Sequence, residues 1–228
     1  RKSSKWVQTM FVAVSLFDIA TSASAQPEYA GGSARDYIEQ LESDDAEVRR
    51  RAAYILGRMN ADHAVAVPAL AEALSDGQME TRWYAMDALG RFGADAAPAI
   101  PAIIKSLQST LNDETVRRRG AKALARIGPA ARDSVPILNE ALKSDDPLYR
   151  IAAADALWHI EKDPQALAII SKELAAEDPV AAFSAAMTIG ELPWAELSLE
   201  NGSMITSLVS GLEHPDEDVR QAVVEALG

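Results

Sequence analysis

Residues 45–57 read Asp45-Ala46-Glu47-Val48-Arg49-Arg50-Arg51-Ala52-Ala53-Tyr54-Ile55-Leu56-Gly57. With Arg49 as anchor, Val48, Ala52, Ile55, Leu56 and Met59 fall on one stripe at helical spacing. Asp45 stands where a carboxylate caps the free N–H groups of a helix and offsets its positive end. Gly57 is expected to mark the far end.

The phrase recurs along the chain. It returns as Arg82, Ala85, Leu89, Gly90, then as Asp113, Val116, Arg117, Gly120, Leu124, Ala125. Later copies are Asp146, Arg150, Ala153, Leu157, Trp158; Asp178, Ala182, Ala185, Ile189, Gly190; and Asp216, Val219, Arg220, Val223, Leu227, Gly228. Anchors 49, 82, 117, 150, 182 and 220 are separated by 33, 35, 33, 32 and 38 residues. A second phrase lies between them: Val67-Pro68-Ala69-Leu70 with Leu74, Ile100-Pro101-Ala102-Ile103 with Leu107, and Val135-Pro136-Ile137-Leu138 with Leu142. Later copies keep only the apolar spacing, at Leu167, Ile170, Leu174 and at Ile205, Leu208, Leu212. Leu41 lies 8 before Arg49, so the array is expected to open with a second-type helix over about 35–42, capped by Ser33. Pro68, Pro101 and Pro136 are expected to open the second helix of each pair, where no N–H is needed. Two helices of this length cannot hide their apolar stripe alone, so the units must stack into one core.

Composition agrees. The chain has 228 residues, 48% hydrophobic but only 6% aromatic, and is rich in alanine, which suits close helix packing. Its formal net charge of −12 argues against a nucleic-acid partner. Cysteine is absent, which removes disulfides, thiolate metal sites and thiol nucleophiles.

The Asp-x-x-Val-Arg phrase, the Val/Ile-Pro turn and the period of about 33 residues resemble HEAT repeats, in particular the bacterial subtype named after phycobilisome lyases. The resemblance covers 34–228. It implies an all-α fold, a right-handed α-α superhelix of stacked helix pairs, with about five complete repeats and the first helix of a sixth that ends at Gly228 as though cut. It also implies a side-chain ladder of Asp45, Asp113, Asp146, Asp178 and Asp216 with Arg49, Arg82, Arg117, Arg150 and Arg220. Gln78 and Ala182 should interrupt that ladder. In such families the second helices line the concave surface, where partners bind; here they carry Glu72, Lys105, Glu140, Lys143 and Lys172, of mixed sign.

Ahead of the array, Arg1, Lys2 and Lys5 precede an apolar stretch from Trp6 to Ala20, then Ser22-Ala23-Ser24-Ala25. This is the pattern of a secretory signal peptide over 1–25 with cleavage after Ala25, followed by a flexible lead-in over 26–33. The expected location is secreted or periplasmic, with no stable membrane insertion after cleavage and a net charge of −14 on the remainder.

No catalytic constellation is legible. His63, His159 and His214 lie in separate repeats, none followed by Glu, so the paired His-Glu motifs of HEAT-type di-iron hydroxylases are missing. His159 shares a column, nine past the anchor, with Arg58, Arg91 and Arg126, which reads as cations complementing a helix C-terminus. Asp44-Asp45 and Asp145-Asp146 lack the alternation of a calcium loop and read as caps. No catalytic residue, metal ligand or cofactor is expected. Pro193–Ser203, with Trp194, is an insertion in the fifth unit and reads as a neutral loop extension.

One surface constellation stands out. Arg50-Arg51, Trp83-Tyr84 and Arg118-Arg119 occupy equivalent positions beside the buried stripe, so stacking should align them on the outer face of repeats one to three. The stacked guanidinium and aromatic groups either stiffen the array or form a docking patch for an acidic or peptide partner. The sequence therefore points to a non-catalytic scaffold that binds another protein or peptide. The alternatives are an enzyme subunit of the bilin-lyase type, and the binding arm of a longer exported enzyme.

Overall fold

The computed structural model describes residues 32–59, 63–109, 114–192 and 202–228. The chain divides into two units, Arg1–Ser33 and Ala34–Gly228. The expected signal peptide and nearly all of the lead-in lie outside the described residues, as does most of the fifth-unit insertion. The second unit is the repeat array, and among its described residues every regular element is helical.

Anchor helices are α2 (Ala46–Leu56), α4 (Met79–Phe92), α6 (Glu114–Ile127), α8 (Pro147–Glu161), α10 (Pro179–Glu191) and α12 (Glu217–Leu227). They alternate with α1 (Ala34–Gln40), α3 (His63–Ala73), α5 (Ile100–Gln108), α7 (Val135–Ala141), α9 (Pro164–Leu174) and α11 (Gly202–Gly211). Pro101 and Pro136 open α5 and α7 as expected, each after a 3-10 segment, Gly93–Ala99 or Gly128–Ser134. Pro68 instead lies inside α3, because that helix starts five residues earlier, at His63.

Local chemistry sets the helix starts. Asp45, Asp146, Asp178 and Asp216 are extended cap residues whose carboxylates accept the N–H two residues on, from Glu47 (2.8 Å), Leu148 (3.1 Å), Val180 (3.0 Å) and Asp218 (3.0 Å). Gln78 makes no such bond; Asp76, two residues earlier, accepts the Gln78 N–H at 2.7 Å. The anchor arginines tie down the loop before their own helix. Four of the five donate to the carbonyl six residues back: Arg49 to Ser43 (2.7 Å), Arg82 to Asp76 (2.7 Å), Arg150 to Ser144 (2.6 Å) and Arg220 to His214 (2.6 Å). In repeat five the anchor is Ala182, and His214 of the next repeat stands in. Its Nδ1 accepts the Asp216 N–H (3.1 Å), which leaves the proton on Nε2, 3.3 Å from the Ala176 carbonyl.

The core runs through the stack. Leu56, Leu89, Leu124, Leu157 and Ile189, each seven past an anchor, are fully buried, each contributing about 1.5–3 kcal/mol of transfer free energy. Anchor helix packs on anchor helix, and small residues set the approach. A Cβ on Gly57 would lie 2.7 Å from that of Ala88; one on Gly90 would lie 3.2 Å from the Ala123 backbone, and one on Gly190 3.3 Å from that of Ala226. Gly90 therefore lies within α4 as a contact residue, whereas Gly93 and Gly128, at φ +56° and +72°, make the turns. Trp158 occupies the Gly57 column in α8, and there α8 and α10 touch over a shorter stretch than their neighbours do.

In the sixth repeat, part of the stripe is solvent-exposed among the described residues. Ile205, Val209, Leu212, Val224 and Leu227 are exposed. Earlier counterparts of Val224, namely Ala53, Met86, Ala121, Ala154 and Ala186, are fully covered by the unit that follows.

Candidate functional site

The anchor helices present their outer columns at two, five and nine residues past the anchor, one face of a helix. In α2 these are Arg51, Tyr54 and Arg58; in α4, Tyr84, Asp87 and Arg91; in α6, Arg119, Lys122 and Arg126. Close approach at the Gly57–Ala88 and Gly90–Ala123 contacts brings the three columns side by side. Arg58 lies 4.6 Å over the Tyr54 ring, and Tyr54 meets Tyr84 edge-on at 5.3 Å across the repeat boundary. Arg50 lies 5.9 Å from the Tyr84 ring centre and Arg119 lies 5.5 Å from that of Trp83.

The structure thus brings together Arg50, Trp83, Tyr84 and Arg119, while ion pairs engage much of their charge. Arg50 Nε donates to Glu47 at 2.8 Å, and that contact holds the Glu47 carboxyl below its ordinary range. Arg119 pairs with Asp87. Arg118 leaves the aromatic pair and turns toward α8, its Nε 2.9 Å from Asp146 Oδ2 with the N–H not aimed at that oxygen, so the contact is ionic. Arg51 remains exposed.

Asp87 is the centre of the face. Burial pushes its carboxyl above the usual value, against the pull of Arg119, Arg126, Arg91 and Lys122. Four cations thus lean on one carboxylate. Tyr54, Arg58, Asp87, Arg91, Lys122 and Arg126 were not singled out as a surface by sequence reasoning, although their spacing within each anchor helix carries the signal. The column nine past the anchor reads as a helix-terminal charge in one helix and becomes a surface row only when three helices are aligned.

The implied Asp–Arg ladder has its own geometry. The caps Asp45, Asp146, Asp178 and Asp216 serve their own helices, and Asp113 lies outside the described residues. Arg49 instead pairs with Asp76 of the next repeat, Nε to Oδ2 at 2.6 Å and Nη2 to Oδ1 at 3.2 Å. Arg150 pairs with the buried Glu173 at 2.8 Å. Arg117 is half-buried in α6. The second-helix residues Glu72, Lys105, Glu140, Lys143 and Lys172 are all exposed, with Lys143 bonded to Glu140 at 2.8 Å.

The histidines sit apart. His63 stacks on Phe92 at 4.1 Å and meets Asp95 at 2.7 Å. His159 closes α8, its Nδ1 3.1 Å from Asp155 Oδ1, which raises its pKa against the effect of burial. Among the described residues, no group of three or more His, Asp or Glu is placed to hold a metal ion, and no helix is long and apolar enough to cross a membrane.

The model of HEAT repeats matches residues 35–114 and 100–190. No curated protein matches the chain by sequence. Solved structures do. An engineered protein shares 21% identity over 86% of this chain and 97% of its own, with a TM-score of 0.56. A designed armadillo repeat protein in complex with the peptide (KR)4 shares 17% identity over 86% of this chain and 98% of its own, with a TM-score of 0.54. The complex of CpcE and CpcF of phycocyanin lyase from Nostoc sp. PCC7120 shares 23% identity over 90% of this chain and 98% of its own, at a TM-score of 0.44.

Proposed function

The chain belongs to the HEAT-repeat family, and on that premise we propose that it is a non-catalytic scaffold, exported from the cytoplasm, that holds another protein or a peptide. The observation that carries this reading is the outer face of α2, α4 and α6. There the buried stripe is already satisfied by the stack, yet cationic and aromatic side chains are still lined up in register across three repeats. Stacked repeats vary such surfaces without disturbing the core. The titratable groups that chemistry would recruit are occupied in structural contacts: His63 with Asp95, His159 with Asp155, His214 in a cap. A solved armadillo repeat protein of similar fold holds a peptide, which supports a partner of this kind. Export rests on the basic, apolar and small-residue succession of 1–25.

Two measurements test the reading. Selection of displayed peptides on the immobilised full chain should enrich sequences that bind saturably as free peptides; no enrichment from a diverse library removes the scaffold reading. Expression in a bacterium should place the protein outside the cytoplasm with Gln26 as its new first residue. Retention of an unprocessed chain in the cytoplasm overturns export.

A further inference from the structure

Charge on the outer columns is distributed unevenly along the array. In repeats one to three the columns at two, five and nine past the anchor hold Arg51, Arg58, Arg91, Arg119, Lys122 and Arg126 against the single carboxylate of Asp87. In repeats four to six the same columns hold no Lys or Arg; Asp155, Glu191 and Glu225 stand there with His159. A chain of net charge −12 therefore concentrates a cationic face on one half of one side. Solvation alone does not require that: mixed charges would keep the surface soluble, and like charges in register repel. The tight Gly57–Ala88 and Gly90–Ala123 contacts increase the crowding. Asp87 lies among Arg119, Arg126, Arg91 and Lys122 and is itself partly desolvated, while Glu47 pairs with Arg50 at the edge of the face.

We propose that the outer face of α2, α4 and α6 is a docking site for an acidic segment of a partner protein, held in extended form across the three helices. The proposal rests on the scaffold reading and names its partner's chemistry. Carboxylates of the segment complement the excess of cations over acids in these columns. The Tyr54–Tyr84 pair gives the segment an apolar floor beside the cations. Spacing fits as well. Packed helices lie about 8–10 Å apart, and an extended chain advances about 3.3 Å per residue, so acidic residues at every third position meet successive helices.

The test uses the full chain and fluorescein-labelled peptides of one length, with Glu, Gln or Lys at every third position, read by anisotropy. The Glu peptide should bind at low ionic strength, the Gln and Lys peptides at least about tenfold more weakly, with affinity falling as salt rises. Arg51→Glu with Lys122→Glu, both exposed, should weaken the Glu peptide by at least about tenfold while circular dichroism and the melting temperature stay close to wild type. Lys172→Glu on the opposite helix set should leave binding unchanged. Equal binding of Glu and Gln peptides, or indifference to the double reversal, overturns the proposal; so does tighter binding of single-stranded RNA than of the Glu peptide. If displayed peptides bind saturably but are not acidic and ignore the double reversal, this proposal falls while the scaffold reading stands. If no peptide of any charge binds, both fall.

Discussion

At the scale of the residue, glycine and alanine decide how the array closes. Gly57 faces Ala88 at a distance no added methyl group tolerates without movement, whereas Gly77 has nothing near its missing Cβ. Gly57→Ala should therefore cost about 1–3 kcal/mol, and Gly77→Ala almost nothing, as read from urea midpoints. The sequence shows glycine at 57, 90 and 190, but a glycine at a helix end and one at a helix contact look alike in one dimension. Only the facing alanines, six past the next anchor, tell them apart. His159 supplies a second prediction. Its folded pKa is raised chiefly by the Asp155 side chain, so the stabilisation is fully present below the unfolded value of about 6.5 and is lost as pH rises through the folded value. Asp155→Asn should accordingly destabilise the protein more at about pH 5.5 than at about pH 8, measured by urea titration at each pH. An equal loss at both would remove the His159–Asp155 contact from the pH dependence.

At the scale of the element, Arg49, Arg82, Arg150 and Arg220 are straps between their own helices and the loops before them. The periodic Arg is plain in the sequence, and so is the Asp cap; the carbonyl six residues back is not, because backbone acceptors leave no mark in side-chain pattern. The partners across repeats are equally hidden. Asp76 and Glu173 lie outside the repeated phrase, yet Arg49 and Arg150 choose them. Arg150→Ala would leave the Glu173 carboxylate buried without its cation. The expected loss is about 2–3 kcal/mol, toward the low end for a buried pair because 24% of the Arg150 side chain is exposed. Arg150→Met with Glu173→Met should recover most of it, since an apolar pair of similar bulk replaces a desolvated ion pair. A double variant no more stable than Arg150→Ala would show that the bond to the Ser144 carbonyl, rather than the ion pair, carries the effect. Arg118, aligned with Arg119 in the sequence, departs for Asp146 because a cap carboxylate in the next repeat lies within reach.

At the scale of the whole array, the stacking of helix pairs was legible from periodicity alone, since 3.6-residue stripes and a fixed repeat leave few alternatives. The proposed docking face was half legible. The pairs beginning at Arg50, Trp83 and Arg118 lie on its three helices, but the rows through Asp87 and Arg126 needed the helices side by side. The uneven joint between α8 and α10 was also hidden, although Trp158 in a column where the other repeats carry glycine or, at Ala125, alanine was its visible sign.

The exposed apolar side chains on α11 and α12 make the 228-residue chain extensible by hand. A copy of the α7–α8 hairpin, fused after Gly228 in the same period, would find Ile205, Leu212, Val224 and Leu227 already laid out as its seat. Such a lengthened protein should melt at a higher temperature than its parent. Fusion of the same hairpin with its inward leucines changed to lysine should gain nothing, which makes this edge a socket for building longer rods from natural parts.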